Sequence, residues 1–231
     1  MTNLEPYKQQ AAERALQYVQ SGMALGLGSG TTARYMLVGL AQRLGDGRLR
    51  DIAGVPTSEA AAAFARQLGI PLTTLEAHPQ LDLDLDGADE IDPALNLIKG
   101  LGGALLREKI VAASSRQLII MADESKLVGQ LGTHAPLPVE VIPFGLPLCM
   151  RRLAELGCSP VLRRAADGSP YRTDEGNAIL DCRFAGIPDP AVLSTAIDAI
   201  PGVVEHGLFI DLATMALVAG PAGVATIVRP E

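Results

Sequence analysis

The stretch from Leu81 to Lys126 holds the residues whose types and spacing are best suited to chemistry. Six of the eleven residues from Asp82 to Asp92 are acidic, and they begin on an alternating L-D-L-D-L-D segment typical of a strand with one apolar face. Lys99 and Glu108 follow, separated by a glycine-rich turn. An acidic run is often only a solvated loop. Carboxylates and an ammonium after a strand favour an acid–base site instead, because ligands of open α/β sheets bind at the carboxyl ends of the strands.

Glu108 lies on a helix that is predicted to follow the glycine-rich turn. At about 100° per residue, its side chain falls between Ala104 and Ala112 and is flanked by Leu105 and Val111. These surroundings fit a desolvated acid with a raised pKa, as a base that works near neutrality needs. They fit equally well an exposed glutamate beside a thin apolar patch, and both interpretations stay open at this point.

A second candidate is the segment G-L-G-S-G-T-T-A from Gly26 to Ala33, between a short apolar strand and a helix. This layout directs backbone N–H groups and the positive end of the helix dipole at an anion. Thr31 replaces the third glycine of the dinucleotide fingerprint, and the lysine of a P-loop is missing. Small residues with hydroxyls favour a monophosphate. The alternative is a tight strand-to-helix turn with a threonine N-cap.

The composition limits the classes of protein to which the chain can belong. Its 231 residues are 48% hydrophobic and 19% charged, which indicates a globular chain. The net charge of −7 argues against nucleic acid as a partner, and no apolar run reaches the ~18 residues of a membrane span. The three cysteines share no metal-ligand spacing with the three histidines, and the N-terminus lacks the layout of a secretory signal. These features predict a cytoplasmic protein with reduced thiols and no metal site.

Short strands and helices alternate along the first part of the chain. This alternation predicts an α/β fold, with a Rossmann-like, mostly parallel sheet and covering helices. Four prolines between positions 136 and 147 mark a boundary, after which the mixture of elements is typical of a smaller inserted α+β domain. The apolar segments near the C-terminus are expected to return to the first sheet. The predicted domains are residues 1–132 together with 205–231, and residues 133–204.

Five motifs together resemble the type A ribose-5-phosphate isomerase family. They are G-L-G-S-G-T-T-A at 26–33, D-G-A-D-E at 86–90, K-G-L-G-G-A at 99–104, R-E-K at 107–109 and D-E-S-K at 123–126. The P-L-P-V-E-V run and the late G-L-F-I segment are similar too, so the resemblance covers essentially the whole chain. Leu101 stands at a position of the K-G-x-G turn that is often small in the family.

The resemblance implies interconversion of D-ribose 5-phosphate and D-ribulose 5-phosphate through an enediolate, in the non-oxidative pentose phosphate pathway, without metal or organic cofactor. Glu108 would be the base that moves a proton between C1 and C2. Asp86, Asp89 and Lys99 would assist ring opening and stabilise or shuttle protons on the two oxygens. Family members are usually homodimers and sometimes tetramers, so a homodimer is expected. The implied substrate-binding residues are Ser29, Gly30, Thr31, Thr32, Gly87, Ala88, Gly100, Leu101, Gly102, Lys126 and Lys8.

Three other functions fit parts of the pattern. A sugar-phosphate-sensing regulator would need a DNA-binding module, for which the first strand at Met23 leaves no room. A coenzyme A transferase would use a glutamate as nucleophile but needs a much larger acyl-carrier site. Glucosamine-phosphate deamination is a closer neighbour, and release of ammonia would reveal it. His206, beside Gly207 in a turn, is interpreted as structural rather than catalytic.

Overall fold

The structure is a computed structural model that describes residues 3–229. The chain divides into two compact units. The first unit comprises the residues up to Ala88, Arg107–Lys126 and the residues from Asp211 onward, and the second comprises Asp89–Leu106 and Leu127–Ile210. None of the helices within residues 3–229 has the length and apolar character of a membrane span.

Six helices and thirteen strands are assigned within residues 3–229. Two short 3-10 turns occur as well, at Glu124–Lys126 and Pro143–Gly145. The elements in chain order are α1 (Glu5–Ala15), β1 (Ala24–Leu27), α2 (Gly30–Gly45), β2 (Ala53–Pro56), α3 (Glu59–Gln67), β3 (Leu83–Asp86), β4 (Glu90–Ile91), β5 (Leu97–Ile98), α4 (Leu105–Ala113), β6 (Leu118–Asp123), β7 (Leu137–Val141), α5 (Leu146–Glu155), β8 (Ser159–Leu162), β9 (Ala178–Arg183), α6 (Pro190–Asp198), β10 (Val203–His206), β11 (Leu208–Phe209), β12 (Met215–Gly220) and β13 (Gly223–Val228).

The first unit is built on a six-stranded sheet in the order β13-β12-β6-β3-β1-β2. The five strands from β12 to β2 are parallel, and β13 pairs antiparallel with β12 at one edge. This topology confirms the predicted α/β class with a mostly parallel sheet. The chain runs from β1 outward to β2 on one side and later enters β3 on the other side of β1, so the strand order reverses between β1 and β3.

Helices cover both faces of this sheet. Leu25 and Leu27 of β1 pack with the apolar residues of α1 and α2. Ala24, on the opposite face, packs with Val111 of α4. Every residue of β3 is consequently buried, including Asp84, which is 0% exposed. The alternation predicts one apolar face, and the structure adds that the other face is buried as well, because parallel strands between two helix layers are covered on both sides.

The second unit contains two antiparallel sheets, one of four strands in the order β10-β7-β9-β8 and one of three strands in the order β11-β5-β4. Leu137, Val139 and Val141 alternate along β7 and point into a core shared with Cys149 of α5 and Ile197 of α6. Helices packed on antiparallel strands give this unit the α+β character expected of the smaller domain.

The unit boundaries differ from the predicted domain boundaries at three places: residues 89–106, 127–132 and 205–210 belong to the second unit rather than to the first. Strand pairing accounts for residues 89–106 and 205–210, since β5 pairs with both β4 and β11, and β10 pairs with β7. The expected return of the C-terminal segments to the first sheet is correct for β12 and β13 and wrong for β10 and β11.

Candidate active site

Four loops of the first unit leave its sheet at the same edge, because each follows one of the neighbouring parallel strands β2, β1, β3 and β6. Open α/β sheets bind ligands at the carboxyl ends of the strands, where the strand order reverses. The reversal here lies between β1 and β3. The loops that begin at Gly28 and Gly87 therefore flank the expected binding position.

Asp86, the last residue of β3, is joined to the loop after β1. Its Oδ1 accepts hydrogen bonds from the backbone N–H groups of Ser29 (3.1 Å) and Gly87 (2.7 Å). Gly28 permits this approach, because a Cβ at position 28 would lie 2.6 Å from Asp86 Cγ. Asp86 is 1% exposed. Its carboxylate is therefore held in place at the ends of two adjacent strands, and the interpretation of a solvated acidic loop does not apply to it.

The hydroxyl of Ser29 is held by two residues that are not among the predicted site residues, Thr57 and Ser58. Ser29 Oγ donates to Ser58 Oγ (2.7 Å) and lies 2.8 Å from Thr57 Oγ1, which donates to Leu27 O (3.0 Å). Ser58 also accepts the Ala61 N–H as the N-cap of α3. The available signal was the T-S pair directly after β2, since hydroxyl residues at the end of a parallel strand lie at the edge where such sheets bind ligands.

The start of α2 provides the geometry predicted for an anion site. Gly30 begins the helix with a positive φ of +90°, Thr31 is exposed and Thr32 is half-buried. The N-cap is Ser29, whose hydroxyl is directed to α3 rather than to the first turn of α2. The alternative of a threonine N-cap is therefore wrong. Backbone N–H groups at the start of a 16-residue helix favour an anion.

Glu108 lies in the first turn of α4 and is only 6% exposed. This burial excludes the interpretation of an exposed glutamate and supports that of a carboxylate shielded from water. The preceding residue, Arg107, forms an ion pair with Glu59 at the start of α3, with an Nη1–Oε1 distance of 2.8 Å. The hydrogen bond from Arg107 lowers the pKa of Glu59. Arg107 therefore forms an ion pair at the protein surface, whereas the side chain of the adjacent Glu108 is buried.

The two lysines expected to bind phosphate have different surroundings. Lys126 ends the 3-10 turn that follows β6, at the same sheet edge as Ser29, and is half-buried. Lys8 lies on α1, where its Nζ donates to Glu5 Oε1 at 2.7 Å, and Glu5 also accepts the hydroxyl of Tyr35 at 2.6 Å. Lys126 therefore belongs to the group of loops at the sheet edge, whereas Lys8 is held in an ion pair within its own helix.

Lys99 follows β5 in the second unit and is 3% exposed. Its backbone N–H donates to Gly207 O at 2.9 Å, and a Cβ at Gly207 would overlap Lys99 O. Its ammonium lies 5.4 Å from the ring centroid of Phe209, a cation–π distance. The glycine of the late G-L-F-I segment is therefore what lets β11 lie close to Lys99.

Asp89 is joined to the glycine-rich turn of the same unit. Its Oδ2 accepts the Leu101 N–H at 3.0 Å, so the structure brings together two residues that the sequence had nominated. The neighbouring Glu90 has a structural role, because it is fully buried and accepts hydrogen bonds from three backbone N–H groups. These groups belong to Gly132, His134 and Ala135, each at 2.6 Å.

Comparison with known proteins decides the family. The model of ribose 5-phosphate isomerase A (phosphoriboisomerase A) matches residues 53–223. The ribose-5-phosphate isomerase A of Roseiflexus castenholzii is 63% identical over 225 residues, which cover 97% of this chain and 96% of that protein. The ribose-5-phosphate isomerase A of Synechococcus sp. is 56% identical over 228 residues, with 98% and 99% covered. The chain belongs to the ribose 5-phosphate isomerase A family.

Solved ribose-5-phosphate isomerases share the fold. One of them, in complex with phospho-erythronic acid, superposes with a TM-score of 0.96 at 39% identity over 99% of this chain and 100% of that chain. The ribose 5-phosphate isomerase from Plasmodium falciparum gives a TM-score of 0.94 at 42% identity, with 98% and 100% covered. These matches confirm the resemblance inferred from the five motifs, the fold class and the class of enzyme, an isomerase.

One group of possible metal ligands occurs among residues 3–229 of this isomerase-family chain: Asp198, Glu205 and His206, whose ligand atoms lie within 4.8 Å of one another. His206 Nδ1 accepts the Leu208 N–H at 3.1 Å, which assigns the proton of the neutral ring to Nε2. Nε2 faces Ser194 Oγ at 3.1 Å and Asp198 Oδ1 at 3.3 Å. A ring nitrogen that carries a proton is not a metal ligand. This geometry agrees with the interpretation of His206 as a structural histidine.

Proposed function

We propose that this chain interconverts D-ribose 5-phosphate and D-ribulose 5-phosphate. The observation that carries the proposal is the match to ribose-5-phosphate isomerase A over almost the whole chain, at up to 63% identity. The reaction needs a base, groups that bind oxygens on which charge develops, and an anchor for the phosphate. The described residues supply candidates for all three roles.

Glu108 is the proposed base. Its carboxylate takes the proton from C2 of the open-chain aldose, which leaves an enediolate, and returns the proton to C1 to give the ketose. Because Glu108 is shielded from water, few water molecules have to leave its carboxylate before it contacts C2 of the sugar. One positioned acid–base group contributes about 10²–10⁴-fold to a rate, so the remaining acceleration has to come from positioning and electrostatics.

Asp86, Asp89 and Lys99 are proposed to assist ring opening and to manage protons and charge on O1 and O2. Asp86 is held by two backbone N–H groups, and Lys99 carries three N–H donors on a buried ammonium. The segments Asp86–Asp89 and Lys99–Gly102 are proposed to line the sugar. We propose that the reaction runs without metal or organic cofactor, because Glu108, Lys99 and the backbone N–H groups can supply the acid–base and electrostatic roles.

The phosphate is proposed to bind at the start of α2. Ser29, with Gly30, Thr31 and Thr32, supplies hydroxyls and backbone N–H groups, and Lys126 supplies a cation at the same sheet edge. Local donors are needed here because the net charge of the chain is −7, which repels an anion at long range. Lys8 is proposed as a further contributor, and it would have to leave its ion pair with Glu5 to act.

We also propose that two copies of the chain form a homodimer through an apolar surface of the second unit. Ile142, Phe144 and Leu148 are 42%, 96% and 37% exposed, and the sequence from Ile142 to Met150 carries no charge. Exposed apolar patches mark interaction sites, and an uncharged patch suits contact with the same patch of a second copy. Sedimentation equilibrium should give a dimer for the unmodified chain and a monomer for Phe144→Glu. A variant that remains dimeric would place the contact elsewhere.

A cytoplasmic location is proposed from the cysteines. All three are buried free thiols, as the cytosol maintains them. Measurement of free thiol in the denatured protein, purified under air without reductant, checks this state, and formation of disulfides in freshly lysed cells would contradict it.

The proposed activity is tested by incubating the purified chain with D-ribose 5-phosphate and a chelator and following ketose formation. The expected result is conversion to D-ribulose 5-phosphate up to equilibrium, unaffected by the chelator. Absence of ketose would contradict the proposal, and loss of activity with the chelator would contradict its metal-free chemistry. Glucosamine 6-phosphate serves as the comparison substrate, since release of ammonia from it would favour the deaminase.

A further inference from the structure

The glycine-rich turn at residues 100–103 is fixed by a residue about 60 positions later in the chain. Arg163 Nη1 donates to Gly100 O (2.9 Å) and to Leu101 O (3.1 Å). Asp181 holds the same guanidinium by two hydrogen bonds, one from Nε to Oδ2 at 2.9 Å and one from Nη2 to Oδ1. A bidentate ion pair of this kind fixes the plane and the direction of the guanidinium group. Arg163 therefore clamps two successive carbonyl groups of the turn.

Tyr171 completes the clamp from the connection between β8 and β9. Its hydroxyl lies 3.5 Å from Gly102 O, and its ring centroid lies 5.8 Å from the Arg163 guanidinium carbon. A Cβ at Gly103 would lie 2.6 Å from the ring carbon Cζ of Tyr171, and Gly103 has a positive φ of +83°. The turn thus presents three successive carbonyl oxygens to one side, the side of Arg163 and Tyr171.

The Leu101 and Gly102 N–H groups are directed away from Arg163 as a consequence, whereas the Gly103 N–H closes the turn by donating to Gly100 O at 3.0 Å. No peptide bond within residues 3–229 is cis, and in a trans peptide the N–H points away from the C=O. The Leu101 N–H accordingly reaches Asp89 Oδ2 at 3.0 Å, on the side away from Arg163. The Gly102 N–H belongs to the peptide whose carbonyl also binds Arg163, so it points the same way, and Gly102 is exposed. The Gly102 N–H and the Asp89 carboxylate are therefore both placed on the side of the turn that faces away from Arg163.

We propose that Arg163 is a positioning residue for the isomerase reaction, which it serves by holding the Gly102 N–H and the Asp89 carboxylate as a donor–acceptor pair for one sugar hydroxyl. A hydroxyl both donates and accepts, so it matches such a pair. Arg163 acts through the turn and does not touch the sugar. This inference rests on the proposed function, in which residues 99–102 line the sugar.

The role of Asp181 follows from the same geometry. Arg163 and Asp181 have side chains that are 12% and 24% exposed, so their pair is partly shielded from water. Asp181 fixes the direction of the guanidinium and balances its charge. An arginine without this anchor would sample other rotamers, and the two carbonyls would be held less firmly.

The test compares Arg163→Gln and Arg163→Lys with the matched control Arg164→Gln. Arg164 is the next residue, is exposed, and donates to Gly168 O (2.7 Å) within its own loop rather than to the turn. Three quantities are measured for each variant: kcat and KM for ribose 5-phosphate, the inhibition constant of phospho-erythronic acid, and that of inorganic phosphate. The acid carries a planar carboxylate where the substrate reacts, whereas inorganic phosphate probes only the phosphate site.

Arg163→Gln is expected to lower kcat about 10- to 100-fold, in keeping with the cost of a small misplacement of reacting groups. The inhibition constant of phospho-erythronic acid should rise and that of inorganic phosphate should stay unchanged. Arg163→Lys should lower kcat less than Arg163→Gln does but still leave it below that of the unmodified chain, because an ammonium lacks the planar geometry of the guanidinium group. Arg164→Gln should behave like the unmodified chain. Unchanged kcat and unchanged affinity for the acid in Arg163→Gln would overturn the inference, as would an equal loss of affinity for both inhibitors.

If Arg163→Gln does not fold, Asp181→Asn gives the answer, since it keeps the arginine and removes its anchoring charge. The same pattern at smaller amplitude is expected, and an unchanged pattern overturns the inference. A separate result would contradict the proposed function, namely that the unmodified chain forms no ketose. If only the positioning role of Arg163 is wrong, the unmodified chain is still fully active.

Discussion

The carboxylate of Asp86 fills the space that a side chain at Gly28 would need. A Cβ at position 28 would lie 2.6 Å from Asp86 Cγ and 2.5 Å from Leu85 O, closer than real Cβ atoms approach other atoms. The Gly28 N–H also donates to Leu85 O at 3.1 Å, so the parallel pairing of β1 and β3 continues to this point. The absence of a side chain at Gly28 therefore determines where a proposed catalytic carboxylate lies.

Gly28→Ala should consequently displace Asp86 and lower kcat by about 10²-fold, because small displacements of reacting groups have costs of that order. Steady-state kinetics with ribose 5-phosphate measures the effect. Gly45→Ala is the control, since a Cβ at Gly45 meets only open space. Near-native turnover in Gly28→Ala would separate the position of Asp86 from catalysis.

Ser58→Ala should reduce both stability and substrate binding. It removes the N-cap of α3, which costs about 0.5–2 kcal/mol of the free energy of unfolding. It also removes the acceptor for the Ser29 hydroxyl, so KM for the sugar phosphate should rise. Urea denaturation and kinetics measure the two effects. In the control Ser114→Ala, the lost hydroxyl donates to Ile110 O in the last turn of α4, and KM should not change. A loss of stability with an unchanged KM would show that Ser58 acts only as a cap.

Lys126→Ala should raise KM and leave kcat little changed, because it removes a proposed phosphate contact that is remote from the proton transfer. Inorganic phosphate should inhibit the variant more weakly than the unmodified chain. Arg48→Ala is the control for the loss of one positive charge, since Arg48 is exposed and pairs with Asp46. An unchanged KM for Lys126→Ala would remove this lysine from the phosphate site.

Glu140 should make stability depend on pH. Burial in the second unit raises the pKa of Glu140, and the charges of Glu175 and Glu205 add to this, while hydrogen bonds from Asn177 and Thr173 oppose it. When folding raises the pKa of a carboxyl group, its contribution to the free energy of unfolding is fully present at pH values below its ordinary pKa, near 4.5 for glutamate. This contribution is lost as the pH rises through the pKa of the group in the folded protein.

Glu140→Gln should therefore gain stability relative to the unmodified chain as the pH rises above 4.5, and the gain should level off above the folded pKa of Glu140. Urea denaturation at a series of pH values measures the difference. Glu155→Gln, at an exposed ion pair with Arg152, should show no such trend. A difference that stays constant with pH would show that Glu140 has the same pKa in both states.

The sequence predicted the elements that depend on local pattern. The alternation of strands and helices predicts the parallel sheet. The residues after β1, β3 and β6 indicate the sheet edge at which the proposed site lies, because parallel strands end together. The burial of Asp84 was not predictable from its alternating neighbours, since that pattern does not reveal whether a helix covers the second face. Gly26 leaves room for Asp84, as a Cβ there would overlap its carboxylate.

Long-range contacts were the part that the sequence did not reveal. Arg163 binds Gly100 O across 63 positions of the chain, and nothing in the local pattern around Arg163 indicates that contact. The three-stranded sheet was missed because β4, β5 and β11 have two residues each, too few for a periodic pattern. The local pattern therefore places residues 89–106 in the same domain as the preceding strand, β3.

The central claim is that Glu108 transfers the proton. The most direct test is kcat for ribose 5-phosphate in Glu108→Gln, which keeps the shape of the side chain and removes its basicity. The exposed Glu76→Gln is the control, and circular dichroism and phosphate inhibition monitor the fold and the phosphate site. We expect kcat of Glu108→Gln to be at least about 10²-fold lower, with an unchanged fold and unchanged inhibition by phosphate. A Glu108→Gln variant with near-native kcat would contradict the central claim.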